Sequence, residues 1–209
     1  MNPLYDAIFK GMAPLAKTSV QASLDEGKSP QDIIDESMIP AMEAIGKEFE
    51  AGRVFVPNLL LSARAMKSAL DILKPLMLAG QTTTLGTVVI GTVKGDLHDI
   101  GKNLVASMLE GSGFEVVNIG IDIDADTFVK AVVDNHADIL CLSALLTTTM
   151  TYMKDVLDAL QKAGIRDKVK VMVGGAPVSQ QFADEIGADG YSSNANEAVT
   201  VAKKLLNIN

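Results

Sequence analysis

The sequence predicts an α/β protein in two parts: an N-terminal helical bundle over residues 1–80 and a five-stranded, parallel, doubly wound sheet over residues 86–209. Three observations predict it. The first 78 residues or so carry no strand signal but repeat apolar residues at helical spacing. From Thr87 onward, short β-branched apolar runs alternate with helical stretches, as in a parallel sheet covered on both faces. Residues with chemical potential then follow those runs at their carboxyl ends, the edge at which such sheets bind ligands.

In the first part, Pro3 to Lys10 and Pro14 to Glu26 read as helices, the second stopped by Gly27. Ser29-Pro30-Gln31-Asp32 is a helix start, with Ser at the N-cap, Pro at N1 and an acid in the first turn. Ile33, Ile34, Met38, Ala41, Met42 and Ile45 continue as a helical stripe that Pro40 should kink or divide. A further helix starts at Pro57 and runs to about Leu78, apolar at Leu60, Leu61, Ala65, Leu70 and Leu73. Four helices, or five if Pro40 splits one, joined by short loops suggest an antiparallel bundle. Leu78 to Leu85 has no periodicity and reads as a linker, with the domain boundary near Gly80.

In the second part, strands are expected at Thr87–Val93, Phe114–Ile119, Ala137–Ser143, Lys168–Val173 and Asp189–Ser193. Gly120 to Asp124 reads as a strand-end loop. Helices are expected from Asp99, over Ala125–Asn135 and Tyr152–Ala163, and from about Asn196 to Leu206. Right-handed crossovers put every strand's carboxyl end on one edge.

Composition narrows the function. The net charge of −8 (18 basic, 26 acidic residues) and the lack of a basic run argue against binding nucleic acid or an anionic membrane surface. No long apolar stretch suggests a transmembrane helix, and no secretory signal is recognisable. The single cysteine, Cys141, precludes an internal disulfide and a cysteine-built zinc site, so a reduced cytoplasm is the expected location.

The informative stretch is Gly91-Thr-Val-Lys-Gly-Asp-Leu-His-Asp-Ile-Gly-Lys-Asn103. His98, one of two histidines, sits in the loop after the first strand, within Asp96-x-His98-x-x-Gly101. An Asp two residues before a His can accept one ring N–H and leave the other nitrogen as a donor ligand. Gly101 removes bulk where the helix begins. Taken alone, the pattern also fits a solvated loop with Asp99 as a helix cap. His136 reads as a surface histidine at a helix end.

The whole string resembles the cobalamin-binding loop of methionine synthase and of corrinoid methyl-carrier proteins. Two more motifs of that family follow, Ser143-Ala-Leu145 after the third strand and Gly174-Gly175 after the fourth. The resemblance covers nearly the whole chain and implies a flavodoxin-like or Rossmann-like cobalamin-binding domain. It implies that the dimethylbenzimidazole tail is displaced from cobalt (base-off), with His98 as the metal's lower ligand. Asp96, Asp99, Gly101, Ser143, Leu145, Gly174 and Gly175 would contact the cofactor or support that ligand. The His–Asp pair would be extended by a hydroxyl at Thr149, with Thr147 a rival. The helical part resembles the cap over the upper face of the corrin, with Phe55 and Met66 as candidates to touch the methyl group.

The implied activity is that of a corrinoid subunit, not catalytic alone, carrying methyl as methylcobalamin. Its partners would be a substrate-specific methyltransferase, a second methyltransferase serving tetrahydrofolate, tetrahydromethanopterin or coenzyme M, and a reductive activase. Methylamines, methanol, methoxylated aromatics and betaines all remain open as donors. The alternative is a cobalamin-binding sensor or regulatory module; an adenosylcobalamin mutase subunit is disfavoured by the N-terminal cap.

Other chemistries fit the same residues poorly. A P-loop fails because the spacing before Gly101-Lys102 is one residue too long and Asn103 replaces the required Ser or Thr. No G-x-G-x-x-G occupies the first turn. A phosphoacceptor domain needs an Asp where Cys141-Leu-Ser143 ends its strand. Two separated histidines do not suit a zinc hydrolase, and Cys141 in an apolar strand reads as inert core.

Overall fold

A computed structural model describes residues 2–77 and 84–208. The chain divides into two compact units, one helical and one α/β. The expected boundary near Gly80 lies outside the described residues.

The helical unit contains α1 (Pro3–Phe9), α2 (Ala13–Asp25), α3 (Pro30–Ile33), α4 (Ile39–Glu50) and α5 (Val56–Met77). Local chemistry sets their starts. The Asn2 side chain accepts from Tyr5 N at 3.2 Å, and Ser29 Oγ accepts from Asp32 N at 3.1 Å. The Pro40 expectation is met differently from a break. Residues Ile34–Met38 form a π-turn that joins α3 to α4, with Ile39 N donating to Ile34 O. Pro40 has no N–H to give and its ring crowds the preceding turn, so the helix widens there instead of stopping.

The buried stripe of α5 is shifted from the expected one. Leu59, Ala63, Met66, Leu70 and Leu73 are buried, whereas Leu60 and Leu61 are exposed. Three consecutive leucines leave the phase ambiguous in the sequence, and the i, i+4, i+7 repeat starting at Leu59 wins.

The α/β unit has strands β1 (Thr87–Val93), β2 (Glu115–Ile123), β3 (Ile139–Ser143), β4 (Lys170–Gly174) and β5 (Gly190–Ser192). All pairs are parallel and the order is β2-β1-β3-β4-β5. This is the flavodoxin-like order, whose strand sequence reverses between β1 and β3. Between the strands run α6 (Ile100–Gly111), α7 (Ala125–Asp134), α8 (Thr147–Met150), α9 (Tyr152–Lys162) and α10 (Gln180–Ile186). Helix α11 (Ala195–Leu205) follows β5. Central β1 is buried along nearly its whole length, which explains its unbroken β-branched composition. Phe128 of α7 and Val156, Leu157 and Leu160 of α9 pack on Val89, Leu140 and Val171 as one core.

Two elements depart from the sequence reading. Strand β2 runs through the expected loop at Gly120 to Asp124, because irregular pairing carries it from Gly91↔Gly120 to Val93↔Ile123. Helix α10 was not anticipated from its polar Gln-Gln start. Its caps are nonetheless strong: Ser179 Oγ accepts from Phe182 N, and Gly187 closes it with φ of 78°. Among the described residues no helix is long and apolar enough to cross a membrane.

The register at the carboxyl edge places the site. Thr92, Ser143, Gly174 and Ser192 are consecutive partners across β1, β3, β4 and β5. Four small residues thus share one row, in which a Cβ at Gly174 would already lie 3.2 Å from the Ser192 carbonyl oxygen. The neighbouring Gly175 is tighter still. Its φ is 126°, and a Cβ there would collide with the Ala144 carbonyl oxygen. The close approach of the loop after β3 therefore requires this glycine, whatever binds nearby. Replacing Gly175 with Ala should lower the unfolding free energy in urea by about 1–3 kcal/mol; an unchanged midpoint would show that the two loops are not packed this way.

Candidate functional site

The residues picked out in the sequence converge on the β1/β3 switch point. The loop after β1 carries Asp96 and His98, and the loop after β3 carries Leu145 to Thr149. Asp96 links them. Its carboxylate is fully buried and accepts on Oδ1 from His98 Nδ1 at 2.8 Å and from His98 N at 3.1 Å. On Oδ2 it accepts from Thr149 Oγ1 at 2.6 Å and from Leu145 N at 2.7 Å. Burial pushes the Asp96 carboxyl up, but the bonds from Thr149, Leu145 and His98 outweigh it and hold the group well below the usual carboxylate range.

An ionised carboxylate only accepts, so Nδ1 of His98 carries a proton, and in the neutral ring Nε2 is the nitrogen with the lone pair. The His98 side chain is 52 % exposed, and among the described residues Nε2 has no hydrogen-bond partner. Thr92, buried on β1, donates from Oγ1 to the His98 carbonyl at 2.9 Å and pins the end of the loop. The result is an imidazole fixed on one side and open on the other.

Of the two threonines left open by the sequence, Thr149 completes the chain Thr149–Asp96–His98. Thr147 is exposed and does not reach Asp96. Leu145 acts here through its backbone N–H, while its side chain stays exposed. Asp99 precedes α6 and accepts from Asn103 Nδ2 at 3.0 Å, so its carboxylate caps a side chain. A Cβ at Gly101 would meet nothing within 4 Å, so the protein's own packing does not demand that glycine. Ser143 and Gly174 lie in the small-residue row, and the Ser143 hydroxyl has no partner among the described residues. In the helical unit Phe55 is 70 % exposed but Met66 is fully buried, so only Phe55 presents a surface; burial assigns Met66 to the core. His136 sits before β3, at the opposite edge of the sheet from His98.

The sequence reading missed several supporting residues. Lys102 is buried, and its ammonium donates to Asn103 Oδ1 at 2.7 Å and Asn118 Oδ1 at 2.6 Å. Burial lowers its pKa, and the Asp99 carboxylate partly offsets this. Asn118 Nδ2 in turn donates to Asn103 Oδ1, tying the start of α6 to β2. A lysine after a loop reads as solvated, so only a strand–helix packing model could have revealed it. Ser192, on the short last strand, was likewise invisible because its place depends on register.

Leu97, Ile100, Leu145 and Leu146 are all exposed around His98. Large apolar side chains rimming a free imidazole fit a broad, flat, apolar ligand with a metal at its centre. Among the described residues no three His, Cys, Asp or Glu side chains group as a metal site. His98 itself offers one nitrogen donor. Fold and site together define an α/β protein that presents an oriented imidazole, ringed by exposed apolar side chains, at its switch point.

The comparisons with known proteins identify that class. Two family models match, each described as a B12 binding domain, over residues 1–74 and residues 86–200. The chain belongs to the B12-binding corrinoid protein family. It is 45 % identical over 210 residues to the dimethylamine corrinoid protein of Methanosarcina barkeri, covering 99 % of this chain and 97 % of that one. It is 44 % identical over 196 residues to the trimethylamine corrinoid protein of the same organism, covering 93 % and 90 %. Among solved structures, a chain of the methanol:cobalamin methyltransferase complex of M. barkeri matches with TM-score 0.86 and 34 % identity, over 98 % of this chain and 78 % of that one.

The depressed Asp96 pKa sets a pH dependence. A carboxylate whose folded pKa lies below its unfolded value stabilises the fold above about pH 4 and loses that contribution as pH falls further. Asp96→Asn should cost about 1–3 kcal/mol at pH 7, and the gap to wild type should narrow from about pH 4 toward about pH 2. Parallel stability curves for the two proteins would contradict this.

Proposed function

We propose that this chain is a methyl carrier. It holds a cobalamin-type corrinoid, base-off, at the carboxyl edge of the α/β unit, with His98 Nε2 as lower ligand to cobalt. The observation that carries the reading is the Thr149–Asp96–His98 chain, which ends in an exposed lone pair ringed by apolar side chains. When bound, the corrinoid supplies a metal centre able to accept and release a methyl group.

The chain's own residues supply ligation, orientation and proton control. Asp96 fixes the imidazole tautomer and turns Nε2 outward. Thr149 Oγ1 and Leu145 N hold Asp96 ionised, so it does not compete for the ring proton. Nε2 is the nitrogen that would be offered to the metal, while Nδ1 stays bonded to the Asp96 carboxylate. We place the displaced tail beside the small-residue row at Thr92, Ser143, Gly174 and Ser192, on the strand ends next to His98. Gly101 keeps the start of α6 clear. For the helical unit we propose a protective role toward the methyl group, with the exposed Phe55 as the candidate residue.

The similarity to dimethylamine and trimethylamine corrinoid proteins supports a methylamine as donor, delivered by a substrate-specific methyltransferase. A second methyltransferase, serving a folate, a pterin or coenzyme M, would take the methyl onward, and a reductive activase would restore the cofactor. Cys141 is buried and its thiol is pushed up to about 12, so it is inert in the reduced cytoplasm where we place the protein.

Purified protein refolded with hydroxocobalamin, then reduced, should be methylated by a dimethylamine- or trimethylamine-specific methyltransferase and demethylated by the acceptor enzyme. A methylated form that decays only in light, and not with any acceptor enzyme, would point to a sensor instead. Gly101→Leu should leave the melting temperature unchanged or slightly raised, since the added side chain meets open space in a helix. The same variant should lose most cobalamin on desalting; full retention would place the corrin elsewhere.

A further inference from the structure

The loop that carries Asp96 and His98 is also gripped from β2, by a residue that no motif of the sequence includes. Asp122 is the penultimate residue of β2, with φ of 56°, a left-handed conformation that is uncommon for a side-chain-bearing residue. Its backbone N donates to the Asp96 carbonyl at 3.1 Å. Its Oδ1 accepts from Gly95 N at 2.7 Å. Both bonds reach the same peptide segment, one residue on either side of the Gly95–Asp96 link.

This grip stands where regular sheet pairing fails. Register shifts occur between Ile90 and Gly91 and between Gly91 and Val93, and pairing of β1 with β2 ends at Val93↔Ile123. Beyond that point the ladder has no further bonds to give the loop. Gly95, with φ of 79°, sits in a turn that Asp96 N closes by donating to Val93 O at 3.1 Å. Asp122 adds a second hold on that turn by taking the Gly95 N–H, immediately before the carboxylate that aims His98. Thr149 and Leu145 hold the carboxylate end of Asp96, and Asp122 holds its backbone end. The left-handed conformation is what lets one residue present N–H and carboxylate to the same loop. Asp and Asn tolerate that conformation better than other side chains.

We propose that Asp122 is a positioning residue for the axial imidazole: by bonding Gly95 and Asp96 together it fixes the orientation of His98. This rests on the reading of His98 as lower ligand. The substitutions Asp122→Asn and Asp122→Gly separate the causes. The first keeps an oxygen acceptor in a side chain that tolerates φ of 56°, and the second keeps the backbone conformation but removes the acceptor.

The test uses the full chain loaded with methylcobalamin, with the ratio of imidazole-ligated to unligated cofactor read from its absorption spectrum. Asp122→Gly should lower that ratio about three- to tenfold, the range expected for the net loss of one hydrogen bond. Asp122→Asn should restore it, and both variants should melt close to wild type. Loss of cofactor from Asp122→Gly alone is the same result in stronger form. A wild-type ratio in Asp122→Gly, or equal loss in both variants, overturns the proposal. His98→Gly in parallel keeps the two readings apart. If it retains the ligated spectrum, His98 is not the ligand; if it loses that spectrum while Asp122→Gly does not, only the role of Asp122 fails.

Discussion

Everything at this site depends on one buried carboxylate. Asp96 is removed from water, yet five donors surround it: the His98 ring and backbone, the Leu145 and Leu146 backbones and the Thr149 hydroxyl. A buried carboxylate left without such partners would neutralise itself by taking a proton. Kept ionised, it commits Nδ1 of His98 to donating and leaves Nε2 as the free nitrogen. Electrostatics at one atom pair therefore decides the chemistry available at another, on the far side of the imidazole ring.

The fold makes that arrangement possible. In a 2-1-3-4-5 sheet the chain leaves β1 and β3 toward opposite faces, so their following loops part and a crevice opens between them. Asp96 bridges the crevice at its base by bonding across it to Leu145 and Thr149. The row Thr92, Ser143, Gly174 and Ser192 keeps the neighbouring edge small. At Gly175 the Ala144 carbonyl occupies the place of the missing side chain. Two adjacent glycines of one motif thus both face backbone, closely at Gly174, where a Cβ would lie 3.2 Å from the Ser192 carbonyl oxygen, and in outright collision at Gly175.

Much of this was legible in the sequence, for physical reasons. The short apolar runs of β1, β3 and β4 are buried on both faces, and their composition says so without help from the fold. The Asp96–His98 pair was legible because it is local, two residues apart in one loop. The choice of Thr149 over Thr147 needed the turn of α8, which buries the first and exposes the second. Met66 could not be separated from the exposed Phe55, because a run of three leucines hid the phase of α5. Lys102, Asn118 and Asp122 were invisible for a shared reason: their partners are on other elements, and no spacing rule encodes contacts across strands. The extension of β2 past Gly120 was hidden by irregular pairing, which glycine and aspartate normally announce as a loop.

The central claim is that one particular imidazole nitrogen binds the metal of a cofactor. It is tested most directly by electron paramagnetic resonance of the cobalamin-loaded protein, with the cobalt reduced to its paramagnetic divalent state. The chain contains two histidines, and both can be labelled together with nitrogen-15. If His98 is the axial donor, the nitrogen splitting of the cobalt signal changes from a triplet to a doublet on labelling, including in a protein whose His136 is replaced by Gln. A splitting that the label leaves unaltered would mean that no histidine of this chain touches the metal.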